Sequence, residues 1–359
     1  MKTVGFAVRN FAQRTGVNRY VRELLRRLPE AGFAPAVVAH SLPPDRPGRL
    51  EAVPWLPLSS WTRAASFDWF ARRRLAALGA GLVHGQGDLT RQDVLTVNNC
   101  DAAAAVHVPD GRKPSPGTDY IRRRQFGPDG CRVVLVNSEL VRRDVAEFYR
   151  VPPEKIRRIY FGVDLESFHP ALRDAARRAL LDAAGWPEET AVAVSVLSGD
   201  PAKRNFGLIA QAVEILARGR AAGLCVVGSM PKTLDPAARR IQDAGKLWHV
   251  PATSEVAGYL AAGDVFVLPA FYEEFGMTVL EALACGCPPV VSARCGAAEL
   301  LTPGTDGEVI AELYDPAELV AGMAAALDSP GRREASRRTA EKYSWDVHVR
   351  ELVKVYREF

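Results

Sequence analysis

Short apolar runs alternate with amphipathic segments along the whole chain. The runs are rich in Val and Leu and are continuous rather than interrupted by polar residues, which is typical of parallel strands covered on both faces. The segments between them repeat apolar residues at helical spacing. This pattern predicts strands at residues 4–8, 36–39, 82–84, 94–97, 133–136, 159–161, 192–197, 224–227, 265–268 and 289–292, with a weaker strand at 248–250. It predicts helices at 17–28, 138–149, 171–184, 206–218, 277–285, 316–327 and 343–359.

Repeated strand–helix alternation in both halves predicts an α/β protein built from two doubly wound, Rossmann-like domains. Gly162 and Pro170 mark a boundary between them. We expect a first domain at 1–165, a second at 166–342, and a final helix at 343–359 that caps the second domain or returns to the first. Ligands of doubly wound sheets bind at the carboxyl ends of the strands, so we expect the two domains to face each other across a substrate-binding cleft.

The composition excludes several classes of protein. The chain has 359 residues, of which 48% are apolar and 25% charged, so both halves can bury a core. No stretch approaches the roughly 18–20 apolar residues of a membrane span, and the run at 4–8 is too short for the core of a signal peptide. The six cysteines lack a CxxC pair, which favours a reduced, cytoplasmic protein without a disulfide framework or a cysteine zinc site. We expect neither a metal nor another cofactor.

The net charge of +4 is unevenly distributed. Residues 1–170 carry 26 Lys and Arg against 17 Asp and Glu, a net charge of +9, whereas residues 171–359 carry 20 against 25, a net charge of −5. The cationic half is suited to an anionic lipid surface or a phosphorylated acceptor; alternatively, its arginines are solvated helix faces. The clusters at 72–74 and 122–124 lack the interleaved aromatic residues of a single-strand groove, so we expect no nucleic-acid partner.

Residues 270–292 carry the strongest chemical signal. A strand ends before Pro269, a loop follows, and a helix begins near Gly276. The backbone N–H groups of Phe275, Gly276 and Met277 would point out of the helix start, where phosphate oxygens or sugar hydroxyls can accept them. Glycine at 276 allows a ligand to approach the backbone closely.

Two acidic residues eight positions apart, Glu273 in the loop and Glu281 in the helix, bracket this helix start. A carboxylate has two acceptor oxygens and can bind adjacent hydroxyls of a ribose or a hexose. The pair therefore suits a ligand with a diol at each end of a diphosphate. The alternative is that Glu273 and Glu274 are solvated loop residues and that Glu281 interacts with the dipole of its own helix.

The segment resembles the E-x7-E motif of the family-four retaining nucleotide-sugar glycosyltransferases, which have the GT-B fold. Further segments are similar to this family. They are the glycine loop Thr15-Gly-Val-Asn-Arg-Tyr20, the stretch Asn137-Ser-Glu-Leu-Val-Arg-Arg-Asp144, and the interdomain residues from Pro153 to Pro170. The run from Ser198 to Asn205, together with Cys295-Gly296, is most similar to the enzymes that add glucose to the lipopolysaccharide core.

The resemblance implies roles for residues on both sides of the cleft. It implies that Lys203 and Arg204, at the start of a helix, stabilise the negative charge of the departing nucleoside diphosphate without a metal. The alternative is that this pair faces solvent. Gly16 would contribute a close backbone contact to the same diphosphate, although the family often has two glycines there.

The same resemblance assigns the two acidic residues of the E-x7-E motif to opposite ends of the nucleotide-sugar donor. Glu281 would bind the ribose hydroxyls and Glu273 the hydroxyls of the transferred sugar, beside the amides of residues 275–277. Many family members also carry a histidine near residue 98, where this chain has Asn98 and Asn99. Asp101 is the main candidate for a protein base, with Asp93, His84 and His107 as others. In a retaining transfer with front-face attack, the leaving phosphate can accept the acceptor's proton instead.

We therefore expect an enzyme that transfers a hexose, with retention, from a nucleotide sugar such as a UDP-hexose to a hydroxyl of a cell-envelope glycolipid or glycan. The resemblance places it in lipopolysaccharide biosynthesis, at the cytoplasmic face of the membrane. Two alternatives remain. One is a catalytically silent GT-B protein that binds a nucleotide or a glycan, and the other is a sugar-nucleotide epimerase.

Overall fold

The computed structural model describes residues 1–13, 15–109, 111, 113–197, 199 and 201–359. The strands, all in parallel pairings, are β1 (Lys2–Ala7), β2 (Phe33–Ala39), β3 (Arg49–Ala52), β4 (Leu82–Gly85), β5 (Val94–Thr96), β6 (Val133–Val136), β7 (Ile156–Arg158), β8 (Ala191–Leu197), β9 (Ala222–Gly228), β10 (Leu247–Val250), β11 (Val265–Leu268), β12 (Pro289–Ser292) and β13 (Glu308–Ile310).

The α-helices are α1 (Gly16–Arg27), α2 (Ser60–Ala77), α3 (Asp101–His107), α4 (Pro116–Gln125), α5 (Glu139–Tyr149), α6 (Arg173–Ala184), α7 (Phe206–Leu216), α8 (Pro236–Asp243), α9 (Val256–Ala262), α10 (Met277–Ala284), α11 (Ala317–Asp328), α12 (Arg332–Glu341) and α13 (Trp345–Tyr356). Serine or threonine side chains cap the amino ends of several helices of the first half, among them Thr15 at α1 and Ser138 at α5.

The chain forms two compact units. The first contains residues 1–106, 110–161 and 345–359, and the second contains 107–109 and 162–344. The sheet of the first unit has the strand order β3-β2-β1-β4-β5-β6-β7, and that of the second has β10-β9-β8-β11-β12-β13. In each, the first strand lies in the middle and the order reverses beside it, which is the doubly wound arrangement. The central strands are fully buried, as their continuous apolar sequences predict.

The C-terminal helix α13 packs within the first unit. The Tyr356 hydroxyl lies 2.5 Å from His84 Nδ1, and His84 Nε2 lies 2.7 Å from the Thr96 hydroxyl. His348 Nδ1 donates to the Tyr160 carbonyl at 2.7 Å, and its Nε2 lies 3.2 Å from the Tyr20 hydroxyl. The two buried histidines thus hold the end of the chain against the first sheet.

One predicted strand needs correction, and two edge strands were not predicted. The strand predicted at 159–161 is wrong: β7 is Ile156–Arg158, and its two arginines are exposed because it is an edge strand. The edge strands β3 and β13 were not predicted, because Arg49–Ala52 and Glu308–Ile310 lack a continuous apolar run. Edge strands face solvent along one side and do not require one.

Candidate functional site

An acidic loop follows β11 in the second unit and leads into α10. Its backbone is fixed against residues 294–296. The Glu273 N–H donates to the Arg294 carbonyl at 2.9 Å, and the Gly296 N–H donates to the Glu273 carbonyl at 2.9 Å. Glu273 and Cys295 form a parallel bridge. The loop therefore holds Glu273 at the carboxyl edge of the sheet, where doubly wound domains bind ligands.

Gly276 allows the loop to turn into α10. Its φ of +86° lies in the left-handed region, and it precedes Met277, the first residue of the helix. A Cβ atom at this position would lie 2.8 Å from Cys295 Sγ and 3.3 Å from Glu273 Cγ. Burial raises the pKa of the Cys295 thiol to about 12, so the thiol stays protonated and donates to the Phe275 carbonyl at 3.1 Å. Backbone strain and close packing both require glycine here.

A second segment, the turn before α7, brings two cations to the same edge. The backbone carbonyl of Lys203 accepts a hydrogen bond from the Phe271 N–H at 3.1 Å, which fastens this turn to the acidic loop. Asn205 adopts a left-handed conformation with φ of 57°, and its Nδ2 donates to the Leu313 carbonyl at 2.8 Å. These contacts explain how Lys203 and Glu274, which are 71 positions apart in sequence, come into contact.

Each cation of the turn is paired with a carboxylate of the loop. Arg204 forms an ion pair with Glu273, and Lys203 Nζ lies 3.0 Å from Glu274 Oε2. The Lys203 ammonium also lies 5.6 Å from the centre of the Tyr272 ring. The side chains of the four paired residues are only 6–23% exposed. Burial lowers the pKa of Arg204, while the charge of Glu274 acts in the opposite direction. The cluster of two cations and two anions is electrically balanced.

Glu281 lies on α10, where its side chain is 1% exposed. Burial raises the pKa of Cys285, one turn further on, with smaller contributions from Cys287 and Glu281. Phe275 is buried and Met277 is half-buried. The structure thus gathers Lys203, Arg204, Glu273, Phe275, Gly276, Met277 and Glu281 on two connected segments of the second unit. Ser198 and Asp200, from the run that resembles the lipopolysaccharide-core enzymes, lie outside the described residues.

Gly16 lies in the first unit, at the first position of α1. The loop before it is held by Asn18, whose Nδ2 donates to the Asn10 and Gln13 carbonyls, both at 2.7 Å. Thr15 Oγ1 accepts from the Asn18 N–H at 3.2 Å. A Cβ atom at Gly16 would meet none of the described atoms within 4 Å. Internal packing therefore does not require glycine at this position.

The candidates for a protein base are held by other contacts. Asp101 begins α3, and its Oδ2 accepts from Arg122 Nε at 2.7 Å. Asp93 accepts from the Val83 N–H at 2.8 Å. His84 is completely buried, and burial lowers its pKa to about 3. The His107 ring stacks on the Tyr272 ring with 5.7 Å between centroids.

Sequence reasoning missed the partners that the site's charged residues use. In the alternative interpretation Glu274 is a solvated loop residue, but it is 5% exposed and pairs with Lys203. The signal was its position beside Glu273 in a loop bounded by apolar residues, which is unusual for a solvated acid. Among the described residues, no group of three or more His, Cys, Asp or Glu side chains is arranged to hold a metal ion. In that same part of the chain, every helix is too short or too polar to cross a membrane.

Comparisons with known proteins identify the families that the two halves of the chain match. Residues 14–167 match the family described as Glycosyltransferase Family 4, and residues 177–343 match the family described as Glycosyl transferases group 1. A D-inositol 3-phosphate glycosyltransferase from Thermobispora bispora is 29% identical over 329 residues, covering 87% of this chain and 71% of the relative. One from Geodermatophilus obscurus is 29% identical over 388 residues, covering 95% and 84%.

Two solved structures share the fold at lower identity. WaaG, a glycosyltransferase involved in lipopolysaccharide biosynthesis, superposes with a TM-score of 0.82 at 19% identity, covering 98% of this chain and 99% of WaaG. HepE from Anabaena, in complex with UDP and glucose, superposes with a TM-score of 0.78 at 13% identity, covering 100% of both chains. At these identities the likeness concerns the fold, which is the pair of parallel-sheet α/β domains expected from the sequence.

Proposed function

The chain belongs to the glycosyltransferases with the GT-B fold, having a family 4 domain followed by a group 1 domain, and we propose that it transfers a hexose from a UDP-hexose to a hydroxyl of a cell-envelope glycan or glycolipid. The single observation that carries this proposal is the cluster of Lys203, Arg204, Glu273 and Glu274 at the carboxyl edge of the second sheet. The fold neighbour HepE, which is complexed with UDP and glucose, supports UDP as the nucleotide.

In the proposed complex, the diphosphate of the donor binds to Lys203 and Arg204 at the amino end of α7. Both cations are held at the edge of the sheet by the loop carboxylates, so they lie where negative charge develops on the leaving group. Diphosphate binding draws Arg204 away from Glu273, whose carboxylate then accepts hydrogen bonds from hydroxyls of the hexose. The first-turn N–H groups of α10, including that of Met277, add donors beside the sugar.

Glu281 binds the ribose in this proposal. Its carboxylate is buried on α10. A buried carboxylate binds the two hydroxyls of one diol more tightly than an exposed carboxylate does. We propose Gly16 as a further donor-binding position, because its backbone is open to a ligand.

The reaction proceeds with retention and without a metal. The bond between the anomeric carbon and the phosphate oxygen breaks, the acceptor oxygen bonds to the same face, and the acceptor's proton passes to the leaving phosphate oxygen. Asp101 is the protein residue proposed to assist near the acceptor, although its carboxylate is engaged by Arg122. His84 is excluded as a base, because both of its ring nitrogens are hydrogen-bonded in the core.

Donor turnover without an acceptor tests the proposal. Incubation with UDP-glucose or another UDP-hexose is expected to release UDP slowly by hydrolysis. Glu281→Gln keeps the side chain's size but removes its charge, and we expect it to lower the rate at least about 100-fold. Glu334→Gln, at an exposed side chain outside the site, is the control and should keep the wild-type rate. If none of the nucleotide sugars binds or turns over, the proposal is wrong.

A catalytically silent protein is the second candidate, because Asn98 and Asn99 stand where many family members have a histidine. A silent protein would bind UDP tightly and release none from any UDP-hexose. If a stereocentre of the donor's sugar is inverted when no acceptor is present, the protein is an epimerase instead.

We also propose that the first unit docks on the anionic inner face of a membrane. Three large exposed apolar side chains support this docking, two in the segment before α2 and one in its first turn: Leu56, Leu58 and Trp61 are 52%, 81% and 48% exposed. Trp61 packs edge-on against Tyr120, whose ring lies 4.2 Å from the Arg124 guanidinium. Exposed tryptophan and leucine beside cations are suited to the interfacial region of a charged bilayer.

Vesicle cosedimentation tests this docking surface. The chain is expected to bind vesicles of phosphatidylglycerol, to release as salt rises, and to bind phosphatidylcholine vesicles weakly. The double substitution Leu58→Ser and Trp61→Ser should abolish binding, whereas Leu172→Ser, at a leucine 40% exposed in the second unit, should not. Equal binding of the double variant and the wild type would contradict the assignment.

A further inference from the structure

A cleft with a volume of about 520 Å³ opens at the amino-terminal edge of the second sheet. It is lined by Thr190, which precedes β8, by Asp264, which precedes β11, and by the first turn of α12. The acidic loop follows β11 and therefore lies at the opposite edge of the same sheet. Cavities that bind small molecules have volumes of about 300–1,000 Å³, so this cleft can hold a ligand other than the proposed donor.

Three guanidinium groups converge on the residues just before β11. Arg173 and Arg177 of α6 both donate to the Asp264 carboxylate. Arg173 Nη1 also donates to the Gly263 carbonyl at 2.9 Å, and Arg333 Nη1 of α12 donates to the same carbonyl at 2.8 Å. Two positive charges thus share one backbone oxygen, and Arg177 and Arg333 line the cleft beside it.

Positive charge exceeds negative charge in this group. The side chains of Arg173 and Arg177 are 25% and 19% exposed, and Arg333 is half-buried. Among the described residues, Arg333 donates to backbone carbonyls and to no carboxylate. Burial lowers the pKa of Arg333. The charges of Arg173 and Arg177 also lower it, whereas Cys287 and Asp264 act in the opposite direction. A bound anion would offset the excess charge.

The amino end of α12 adds to the positive potential. Gly331 lines the cleft at the N-cap position, with a φ of +78°, and has no side chain to accept from the first-turn N–H groups. These N–H groups and the helix dipole favour an anion. Arg220, in the turn between α7 and β9, lines the same cleft and pairs with Asp328.

The other carboxylates of the cleft restrict the kind of anion. Glu334 pairs with Arg338, and its side chain is 81% exposed, so solvent screens its charge. Glu189 is exposed and lines the cleft. A carboxylate accepts hydrogen bonds from hydroxyl groups but repels an anion. A ligand that combines one phosphate group with several hydroxyl groups therefore suits both the arginines and Glu189.

We propose that this cleft is a second ligand site, and that it binds a small phosphate monoester carrying hydroxyl groups, such as a sugar phosphate. The phosphate group contacts Arg177, Arg333 and the first-turn N–H groups of α12, and the hydroxyl groups contact Glu189. Because the site and the acidic loop lie at opposite edges of the sheet, the inference is independent of the proposed function.

Isothermal titration calorimetry with glucose 6-phosphate tests the site. One molecule per chain is expected to bind, with a Kd of about 1 mM or lower, whether or not saturating UDP is present. Glucose lacks the phosphate group and should not bind detectably, and inorganic phosphate lacks the hydroxyl groups and should bind more weakly. An absence of saturable binding by glucose 6-phosphate, or its complete displacement by UDP, would overturn the inference.

Replacement of arginines tests the phosphate contact. Arg333→Gln removes the charge that lacks a carboxylate partner and is expected to raise the Kd of glucose 6-phosphate at least about tenfold. Because Arg333 also holds the Gly263 carbonyl, this variant is paired with Arg220→Gln, at a side chain 36% exposed, which should raise the Kd about threefold. Arg218→Gln is the matched control. Arg218 belongs to the same turn, lies outside the cleft and has a side chain 73% exposed, so the Kd should not change.

Two further variants locate the ligand. Glu189→Ala removes the acceptor for hydroxyl groups together with a repelling charge, so it should weaken glucose 6-phosphate about threefold without weakening inorganic phosphate. Lys203→Gln, in the cation pair proposed for the donor, should leave the Kd of glucose 6-phosphate unchanged.

The variants also define what would contradict the inference. An unchanged Kd in both the Arg333 and Arg220 variants, an unchanged Kd in Glu189→Ala, or loss of binding in Lys203→Gln would each do so. Absence of donor hydrolysis together with intact binding of glucose 6-phosphate would contradict the proposed function alone.

Discussion

Charged side chains of the acidic loop are held in ion pairs. Arg204 pairs with Glu273 and Lys203 with Glu274, so neither cation is left uncompensated in a site that is largely buried. A buried charge whose partner is removed is strongly destabilising, which is why the four residues act as a unit. In this arrangement the carboxylates fix the positions of the cations that the proposed diphosphate would use.

The sequence identifies Glu273, Glu281 and the cations at 203 and 204 as candidate site residues, because each belongs to a local pattern. The pairing between the two segments could not. Lys203 and Glu274 are 71 positions apart, and their contact depends on the Phe271–Lys203 backbone hydrogen bond and on the turn at Asn205. Such tertiary contacts leave no periodic signal in the chain.

Replacing Gly276 tests the conformation of the acidic loop. Gly276→Ala forces a Cβ atom to 2.8 Å from Cys295 Sγ at a φ of +86°, and we expect a loss of about 2–4 kcal/mol in the free energy of unfolding. Urea denaturation measures it. Gly16→Ala is the control, because its Cβ meets none of the described atoms within 4 Å and its φ is not positive. Similar unfolding midpoints for the two variants would contradict the assigned role of Gly276.

At the scale of secondary structure, the strands that could be predicted from the sequence are those buried on both faces. The strands β6, β11 and β12 have the predicted bounds, since each is an apolar run buried on both faces. Polar edge strands such as β3 were missed. Helices such as α2 and α12 were missed: four of the 10 residues of α12 are arginines, and in α2, which has 18 residues, four arginines interrupt the apolar positions. Their contacts, rather than their periodicity, hold them in place.

The carboxyl end of α10 is fixed by Arg337 of α12. Its Nη1 donates to the Ala284 carbonyl at 2.9 Å and to the Phe168 carbonyl at 2.9 Å, so one guanidinium joins the helix that carries Glu281 to the segment before α6. We expect Arg337→Ala to lower the free energy of unfolding by about 2–3 kcal/mol, because it leaves carbonyls without their charged donor. Thermal and urea unfolding measure this change.

The neighbouring arginine provides a control for this experiment. Arg338 has a side chain that is 65% exposed and pairs at 3.7 Å with Glu334, whose side chain is 81% exposed. Arg338→Ala should therefore change the stability by less than about 0.5 kcal/mol. If the two alanine variants are equally stable, Arg337 does not fix the end of α10.

At the scale of the whole chain, two buried histidines tie the last helix to the first sheet. Burial lowers the pKa values of His84 and His348 to about 3 from an ordinary value of 6.5. Both are therefore neutral in the folded protein and become protonated on unfolding below pH 6.5. The unfolded chain then binds more protons, so stability is full above pH 6.5 and is lost as the pH falls towards 3.

This linkage predicts a steep loss of stability in acid. Each histidine contributes a slope approaching about 1.4 kcal/mol per pH unit between pH 6 and pH 4. Urea unfolding at a series of pH values measures the total slope, to which carboxylates also contribute. His84→Gln removes one histidine's share, so its slope should be shallower than that of the wild type by about 1.4 kcal/mol per pH unit. Identical slopes would mean that His84 is not buried in its neutral form.

The central claim is that the acidic loop and the two cations bind a UDP-hexose and promote transfer with retention. Proton NMR of UDP-α-glucose with the wild-type protein tests it most directly, because one time course reports both the release of UDP and the configuration of the glucose first formed. Slow release of UDP is expected, with α-glucose appearing before mutarotation. An unchanged spectrum, or β-glucose as the first product, would contradict it.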